Sequence, residues 1–275
     1  MIPAAFEYVR ADSAEQAISL LQQHGDDAKL LAGGHSLIPL MKYRLASPAV
    51  IVDIGRLSDL SYVKEDGANL RIGALTRHRD IEINPLLQQH APLLSNAASH
   101  VGDPQVRHRG TIGGSLSHGD PASDLPAVAI ALGATLVIQG ANGTREVSSD
   151  DFFQGFLETA LGPDELLTEI KVPKMNGGAK WSFQKFNRRA MDWAIVGCAV
   201  VVDGNKAGVG LVNMDSRPVR ASAVEAAIAG GANASDAAAS ADAGTEPPAD
   251  LNASVEYRRH LAKVLVRRAL EEAGK

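Results

Sequence analysis

The chain has 275 residues, of which 45% are hydrophobic and 21% charged, with a formal net charge of −5 and one cysteine. The negative charge argues against a dedicated nucleic-acid-binding protein, which needs a basic face to neutralise phosphates. The single cysteine, Cys198, excludes a disulfide within the chain and an iron–sulfur cluster held by cysteines of this chain alone.

The first residues do not resemble a targeting signal. Residues 1–7 lack the basic segment and the apolar segment of a signal peptide, and no apolar run in the sequence is long enough to cross a bilayer. We therefore expect a cytoplasmic protein.

Residues 1–55 predict a compact unit of short strands and helices. Ser13 and Gln16 form a capping-box pattern at the start of the first helix, and its apolar stripe ends at Gly25. The other elements expected in this unit are strands at 6–9, 29–32 and 49–54 and a helix at 37–45.

Residues 56–175 predict a second unit with two β-hairpins. Asp66-Gly67 and Asn142-Gly143 lie between alternating segments, which is a strong hairpin signal. Residues 101–119 are dense in Gly, His and Arg without clean periodicity, which predicts a ligand-binding loop. The remaining expected elements are helices at 78–84, 93–100 and 125–132 and a strand at 167–172.

A turn around Gly177-Gly178 is the expected domain boundary. It separates a domain at 1–175, with subdomains at about 1–55 and 56–175, from a domain at 176–275. The second domain has three predicted strands at 181–186, 194–202 and 208–212, followed by helices, which favours an antiparallel sheet backed by helices. The fold class is therefore α+β, and Cys198, inside an apolar strand, is expected in the core.

The carboxyl-terminal segments carry weaker signals. The Ala-rich segment 232–253 predicts either a flexible surface loop or a short helix with a loop. The helix expected at 254–272 has one apolar face and basic residues elsewhere, including Arg258. That basic face is expected to be solvated, with partner docking as the alternative.

Two glycine-rich segments, Ala32-Gly33-Gly34-His35-Ser36 and Thr111-Ile112-Gly113-Gly114-Ser115, carry the clearest functional signal. Each has two adjacent glycines and ends on a serine, so that backbone N–H groups can converge on a phosphate oxygen. One such segment is weak evidence, because paired glycines mostly mark turns, but two predict a diphosphate held from two sides. Neither has the spacing of a Rossmann or P-loop motif.

These segments resemble the FAD-binding medium subunits of the molybdenum hydroxylases, and most of all the branch of aerobic carbon monoxide dehydrogenases. The resemblance extends through residues 37–42, Gly119-Asp120-Pro121 and Glu165-Leu166-Leu167-Thr168, and covers nearly the whole chain. It implies a two-subdomain FAD-binding region of the PCMH type, followed by the antiparallel domain.

The resemblance also implies which residues contact FAD. The two glycine segments would hold the diphosphate through hydroxyls and backbone N–H groups, without a metal ion. The family often has Asn or Asp where Ser115 stands. The implied FAD-binding residues are Ala32, Gly33, Gly34, His35, Ser36, Leu37, Val101, Gly102, Thr111, Ile112, Gly113, Gly114, Ser115, Asp124, Leu167, Lys185 and Trp193.

Three of these residues also have ordinary structural interpretations. Asp124 would accept a hydrogen bond from an FAD hydroxyl, or else it or Ser123 caps the helix at 125–132. Lys185 would stabilise negative charge near the flavin ring, or else it is a solvated strand lysine. Trp193, where relatives carry a tyrosine, would lie beside the isoalloxazine, or else it belongs to the core.

A protein-bound metal is not expected. Histidines and aspartates recur between positions 100 and 120, but their spacing fits no metal-ligand pattern and neighbouring arginines would oppose a cation. These residues are His100, Asp103, His108, His118 and Asp120.

The resemblance implies an oxidoreductase subunit, the flavoprotein component of a molybdenum hydroxylase. Its FAD, bound non-covalently, would take electrons from iron–sulfur clusters and pass them to an external acceptor. Molybdopterin and [2Fe-2S] clusters would belong to partners only, namely a small iron–sulfur subunit and a large molybdenum subunit in a dimer of heterotrimers. Any association with a membrane surface would occur through the electron acceptor. No nucleic-acid partner is expected.

Two other functions compete with this interpretation. A self-contained flavo-oxidase of the vanillyl-alcohol-oxidase class shares the Gly-Gly-His-Ser string in some members, but needs its own substrate pocket. The carboxyl-terminal region has few aromatic residues and no evident acid/base pair to build one. A non-catalytic nucleotide-binding or assembly module is the second alternative.

Overall fold

The structure is a computed structural model that describes residues 2–275. The amino-terminal unit contains β1 (Glu7–Arg10), α1 (Ala14–His24), β2 (Ala28–Leu31), α2 (Leu37–Lys42) and β3 (Val50–Asp53), with 3-10 turns at Gly25–Asp27 and Ser58–Leu60. Its strands form a parallel sheet in the order β1-β3-β2. The apolar stripe of α1 packs in the core of this unit.

The ends of these helices follow from local hydrogen bonds and backbone angles. The Ser13 Oγ accepts a hydrogen bond from the Gln16 N–H at 3.1 Å, as the capping-box pattern predicted. Helix α2 ends at Lys42, short of the expected residue 45, because Arg44 adopts a φ of 59° that a helix does not accommodate.

The second unit contains an antiparallel five-stranded sheet in the order β4-β5-β10-β6-β7. Both predicted hairpins are present, and helices pack over the sheet around the largest core. The strands are β4 (Val63–Asp66), β5 (Asn69–Gly73), β6 (Thr135–Gly140), β7 (Gly143–Ser148), β8 (Phe153–Gly155), β9 (Glu158–Thr159) and β10 (Leu166–Pro173). The helices are α3 (His78–Ile83), α4 (Pro85–His90), α5 (Pro92–Ser99), α6 (Pro104–Arg107), α7 (Ile112–His118), α8 (Asp124–Leu132) and α9 (Ser149–Phe152).

Residues 101–119 are more regular than the sequence indicated, because they contain α6 and α7. Asp103 caps α6 by accepting a hydrogen bond from the Val106 N–H at 2.9 Å. Thr111 caps α7 by accepting one from the Gly114 N–H at 3.1 Å. In the sequence, α6 is only four residues long and α7 contains Gly113 and Gly114, so neither shows a clear helical pattern.

The third unit is the predicted antiparallel sheet backed by helices. Its strands β11 (Lys180–Phe186), β12 (Val196–Asp203), β13 (Lys206–Val212) and β14 (Val219–Arg220) pair in chain order. Its helices are α10 (Ser222–Ala229), α11 (Ala234–Ala238) and α12 (Val255–Glu272). The Ala-rich segment therefore contains a short helix and a loop, the second of the two expectations.

Helix α8 joins the second and third units. It packs so closely on β13 that a Cβ built on Gly210 would overlap the carbonyl oxygen of Ala127. The start of α8 also contacts β11 through the ion pair of Asp124 with Lys185, which matters for the site described below. No helix within residues 2–275 combines the length and apolar character required to span a bilayer.

Cys198 and Arg258, both in the third unit, are fully buried. Cys198 lies in the core as predicted, and burial raises the pKa of its thiol to about 12. Arg258 does not belong to the solvated basic face of α12, contrary to the prediction. It pairs with Asp250 at 2.8 Å and donates to the Ile195 carbonyl, and these partners hold its charge inside the protein.

Candidate functional site

The candidate site is a cleft of about 910 Å³ where the three units meet. The first glycine segment forms one wall, α6 and α7 form a second, and the segment leading into β10 forms a third. Lys185 and Trp193 extend the cleft to the third unit. Such a volume lies near the upper end of ordinary ligand pockets, which run from about 300 to 1,000 Å³.

The two glycine segments lie against each other in this cleft. A Cβ built on Gly33 would overlap the Arg109 carbonyl oxygen, so only glycine permits this approach. Gly34 has a φ of 79°, the left-handed region that favours glycine. The prediction that the segments share one site is consistent with this contact.

The first segment presents unused backbone donors. Within residues 2–275, the N–H groups of residues 33–37 form no hydrogen bond. Ser36 does not use its hydroxyl to cap α2 either. Consecutive free N–H groups in a turn that includes a left-handed residue form a concave anion site.

The second segment differs from expectation, because its backbone N–H groups are already used. Gly113 donates to the Ala74 carbonyl at 2.8 Å, Gly114 to the Thr111 hydroxyl at 3.1 Å, and Ser115 to the Thr111 carbonyl at 3.0 Å. This wall therefore offers the Thr111 and Ser115 hydroxyls rather than a second ring of N–H groups. Ile112 is the one implied FAD-binding residue outside the cleft lining, and its side chain lies in the core.

A buried ion pair occupies another part of the cleft. The Lys185 Nζ lies 2.7 Å from the Asp124 Oδ2 and also donates to the His100 carbonyl at 3.1 Å. Burial raises the pKa of Asp124, and the neighbouring Lys185 ammonium opposes that rise. The Asp124 Oδ1 is buried without a hydrogen-bond partner in residues 2–275. A ligand hydroxyl donating to this oxygen would satisfy it.

These contacts argue against the ordinary structural interpretations of Asp124, Lys185 and Trp193. Asp124 is not an N-cap, since its carboxylate pairs with Lys185, and Ser123 forms no side-chain cap either. Lys185 is not a solvated lysine, because its side chain is only 7% exposed. Trp193 is not a core residue, since it is 56% exposed at the mouth of the cleft.

Comparisons with known proteins agree with this geometry. Residues 4–175 match the family described as FAD binding domain in molybdopterin dehydrogenase, and residues 181–273 match the CO dehydrogenase flavoprotein C-terminal domain. The chain is 42% identical to the carbon monoxide dehydrogenase medium chain of Hydrogenophaga pseudoflava, covering 99% of this chain and 98% of the relative.

The chain is also similar to other members of this group. It is 41% identical to the glyceraldehyde dehydrogenase medium chain of Sulfolobus acidocaldarius, over all of both chains. The solved structure of carbon monoxide dehydrogenase from Hydrogenophaga pseudoflava, lacking the Mo-pyranopterin moiety, superposes with a TM-score of 0.96 at 44% identity. It covers 99% of this chain and 98% of that chain.

The chain belongs to the FAD-binding medium subunits of the molybdenum hydroxylases. It is an oxidoreductase subunit, and the predictions of family, fold class and FAD as cofactor are confirmed.

The residues of this medium subunit fit FAD on two independent observations. The free N–H groups of residues 33–37 suit a diphosphate, and the buried, unpaired Asp124 Oδ1 suits a ligand hydroxyl. All the implied FAD-binding residues except Ile112 line the same cleft, including Leu37, Val101, Gly102 and Leu167. No cluster of three or more potential metal-ligating side chains occurs in the part of the chain that the structure describes.

His78 is a cleft residue that the sequence did not point to. His78 begins α3 and is 4% exposed, with Nδ1 lacking a hydrogen-bond partner in residues 2–275. Burial lowers its pKa to about 4, and His35 and Arg107 add to this effect. A lone histidine at a helix start gives no motif, so its position beneath Gly110 became apparent only in the folded chain.

Proposed function

We propose that the medium subunit takes electrons into its FAD from iron–sulfur clusters on a partner subunit and passes them to an external acceptor. One observation carries this proposal: a cleft suited to a dinucleotide lies in a chain whose only cysteine, Cys198, is fully buried. A buried thiol with its pKa raised to about 12 is a poor cluster ligand. The electrons therefore have to come from other chains.

Each part of the cleft has a distinct task in this proposal. The N–H groups of residues 33–37 bind the diphosphate, with the Thr111 and Ser115 hydroxyls donating from the opposite wall. Asp124 accepts from a ribose or side-chain hydroxyl of FAD, and the Lys185 ammonium opposes the rise that burial causes in the pKa of Asp124. When bound, FAD supplies the exchange between single electrons and electron pairs.

The bound cofactor is held without a covalent bond in this proposal. His35 is exposed in the first glycine segment, where it shapes the phosphate-binding turn rather than carrying the flavin. Trp193, exposed at the cleft mouth, would lie beside the isoalloxazine. The domains implied by the sequence, 1–175 and 176–275, remain our proposed boundaries.

The proposed partners are a small iron–sulfur subunit and a large molybdenum subunit, assembled as a dimer of heterotrimers in the cytoplasm. Relatives named for carbon monoxide and for glyceraldehyde are almost equally similar to this chain, at 42% and 41% identity. This similarity is expected if the substrate is oxidised on another subunit. Carbon monoxide is our first candidate substrate, followed by N-heteroaromatics and aldehydes.

The test compares the isolated chain with the complete complex. The FAD-loaded chain alone is expected to pass electrons between artificial dyes but to oxidise no carbon monoxide, aldehyde or N-heterocycle. Adding the two partner subunits should produce oxidation of carbon monoxide, an aldehyde or an N-heterocycle. Substrate turnover by the isolated chain would instead support the self-contained flavo-oxidase, and a purified chain without flavin would support the non-catalytic module.

A further inference from the structure

A second cavity, of about 480 Å³, adjoins the FAD cleft. The two share Asp192 and Trp193 in their linings. Two further segments contribute neighbouring residues to both cavities: Ala122 and Phe156 line the second cavity, while residues 123–124 and 157 line the cleft. The cavities are therefore separated by a thin partition that contains Trp193.

The second cavity has an acidic lining. Five carboxylates face it against the guanidinium groups of Arg188 and Arg258. The carboxylates belong to Asp120, Asp192, Asp215, Glu246 and Asp250. The carboxylates outnumber the guanidinium groups, and charges act on one another over about 10 Å at moderate ionic strength. The lining therefore repels anionic ligands.

The remaining lining suits a flat ring with polar edges. Phe156 and Trp193 supply aromatic surfaces at the partition, and Ile195 adds an apolar one. Arg188 is exposed in this lining and forms no side-chain hydrogen bond or ion pair within residues 2–275, so its donors are free. Arg258 is fully buried behind the cavity wall, where Asp250 pairs with it at 2.8 Å, so Arg188 is the arginine that a ligand can reach.

We propose that this second cavity is the binding site of the electron acceptor, and that it takes a planar ring that carries no negative charge. The inference rests on the proposed function, because it assigns the acceptor a place next to the FAD cleft. A ring with two carbonyl oxygens gains two electrons from the reduced FAD and two protons from the solvent, and leaves as the dihydroxy ring. An acceptor with a diphosphate, such as a nicotinamide dinucleotide, is disfavoured by the carboxylates.

The test measures binding rather than turnover. Purified, FAD-loaded chain is titrated by calorimetry with 1,4-naphthoquinone and with its anionic 2-sulfonate, two rings of the same shape. We expect the uncharged ring to bind saturably with one site and the sulfonate about tenfold more weakly at low ionic strength, with the gap narrowing in high salt.

Two variants locate the site. Glu246→Lys replaces an exposed carboxylate of the cavity and should strengthen sulfonate binding about fivefold while leaving the uncharged ring within twofold. Asp26→Lys, at an exposed carboxylate that lines neither cavity, is the matched control and should change neither affinity. Ser216→Leu, which fills the cavity from an exposed position, should weaken both rings at least tenfold.

Three results would overturn the proposal: no saturable ring binding, equal binding of the two rings, or unchanged binding in Ser216→Leu. FAD content is measured on the same samples beforehand. A chain without FAD contradicts the proposed function, whereas a chain that holds FAD but gives any of these results contradicts only the acceptor site.

Discussion

Lys185 and Asp124 form an ion pair of 2.7 Å in which the two side chains are only 7% and 5% exposed. Lys185 lies on β11 of the third unit, and Asp124 begins α8 of the second. The pair therefore connects the two units at the FAD cleft. The Asp124 Oδ1 has no hydrogen-bond partner within residues 2–275 and is available to a ligand. The stability of this junction is therefore linked to cofactor binding.

Lys185→Met should destabilise the chain by about 3–5 kcal/mol at pH 8, because it leaves a buried carboxylate without its counter-charge. Chemical denaturation measures this loss. Without Lys185, the pKa of Asp124 rises further above its unfolded value, so the folded state binds the extra proton. The variant should therefore regain stability as the pH falls toward 5.

The controls for this ion pair separate charge from packing. Adding Asp124→Asn to Lys185→Met should recover most of the lost stability, since no buried charge remains. Arg10→Ala, which breaks the exposed Arg10–Asp12 pair, should have no measurable effect. Equal losses in Lys185→Met and Arg10→Ala would contradict the importance of burial.

Gly33→Ala should lower both stability and FAD content, because the added methyl group overlaps the Arg109 carbonyl oxygen and pushes the two glycine segments apart. Overpacking of this kind costs about 1–3 kcal/mol. Gly178→Ala is the matched control, since a Cβ there meets nothing within 4 Å. Thermal unfolding and bound-flavin absorbance would reveal the effect, and wild-type values for both variants would refute the contact.

Gly114→Val should separate cofactor binding from folding. A Cβ at this position would lie 2.9 Å from the Thr111 hydroxyl oxygen, which would have to leave its capping position on α7, and Gly114 lines the cleft. We expect the FAD-free chain to lose no more than the value of one helix cap, about 0.5–2 kcal/mol, but to bind FAD at least tenfold more weakly. Full FAD occupancy in this variant would show that the second segment does not contact the cofactor.

The His78 imidazole should make the chain acid-sensitive. Its pKa is about 4 in the folded chain against an ordinary value of 6.5, so folding favours the neutral form. The associated stability, about 3 kcal/mol, is complete above pH 6.5 and is lost as the pH falls toward 4. His78→Gln should flatten this part of the stability profile in denaturation at a series of pH values; an unchanged slope would contradict the burial.

The sequence predicted the fold well wherever local signals agreed with packing. Ser13 and Gln16 marked the start of α1, and the Asp66-Gly67 and Asn142-Gly143 turns marked both hairpins. It failed for α6, which has only four residues, and for α7, where Gly113, in close contact with Ala74, and Gly114 interrupted the helical pattern. These glycines serve the tertiary structure rather than local propensity.

The candidate site was predicted in part, for a similar reason. The glycine segments were recognisable, but the use of the Gly113 N–H by Ala74 depends on a contact between distant elements. Burial of Arg258 likewise depends on Asp250 and the Ile195 carbonyl. Side chains whose partners are far apart in sequence leave no periodic signal, so only the folded chain reveals them.

The most direct test of the central claim is the flavin content of the purified full-length chain. Its absorbance spectrum should show a flavin, and acid precipitation should release the yellow chromophore into the supernatant as FAD, at one per chain. Release is expected because His35 holds no covalent bond to it. A colourless chain, FMN in place of FAD, or flavin that stays with the precipitate would contradict the account.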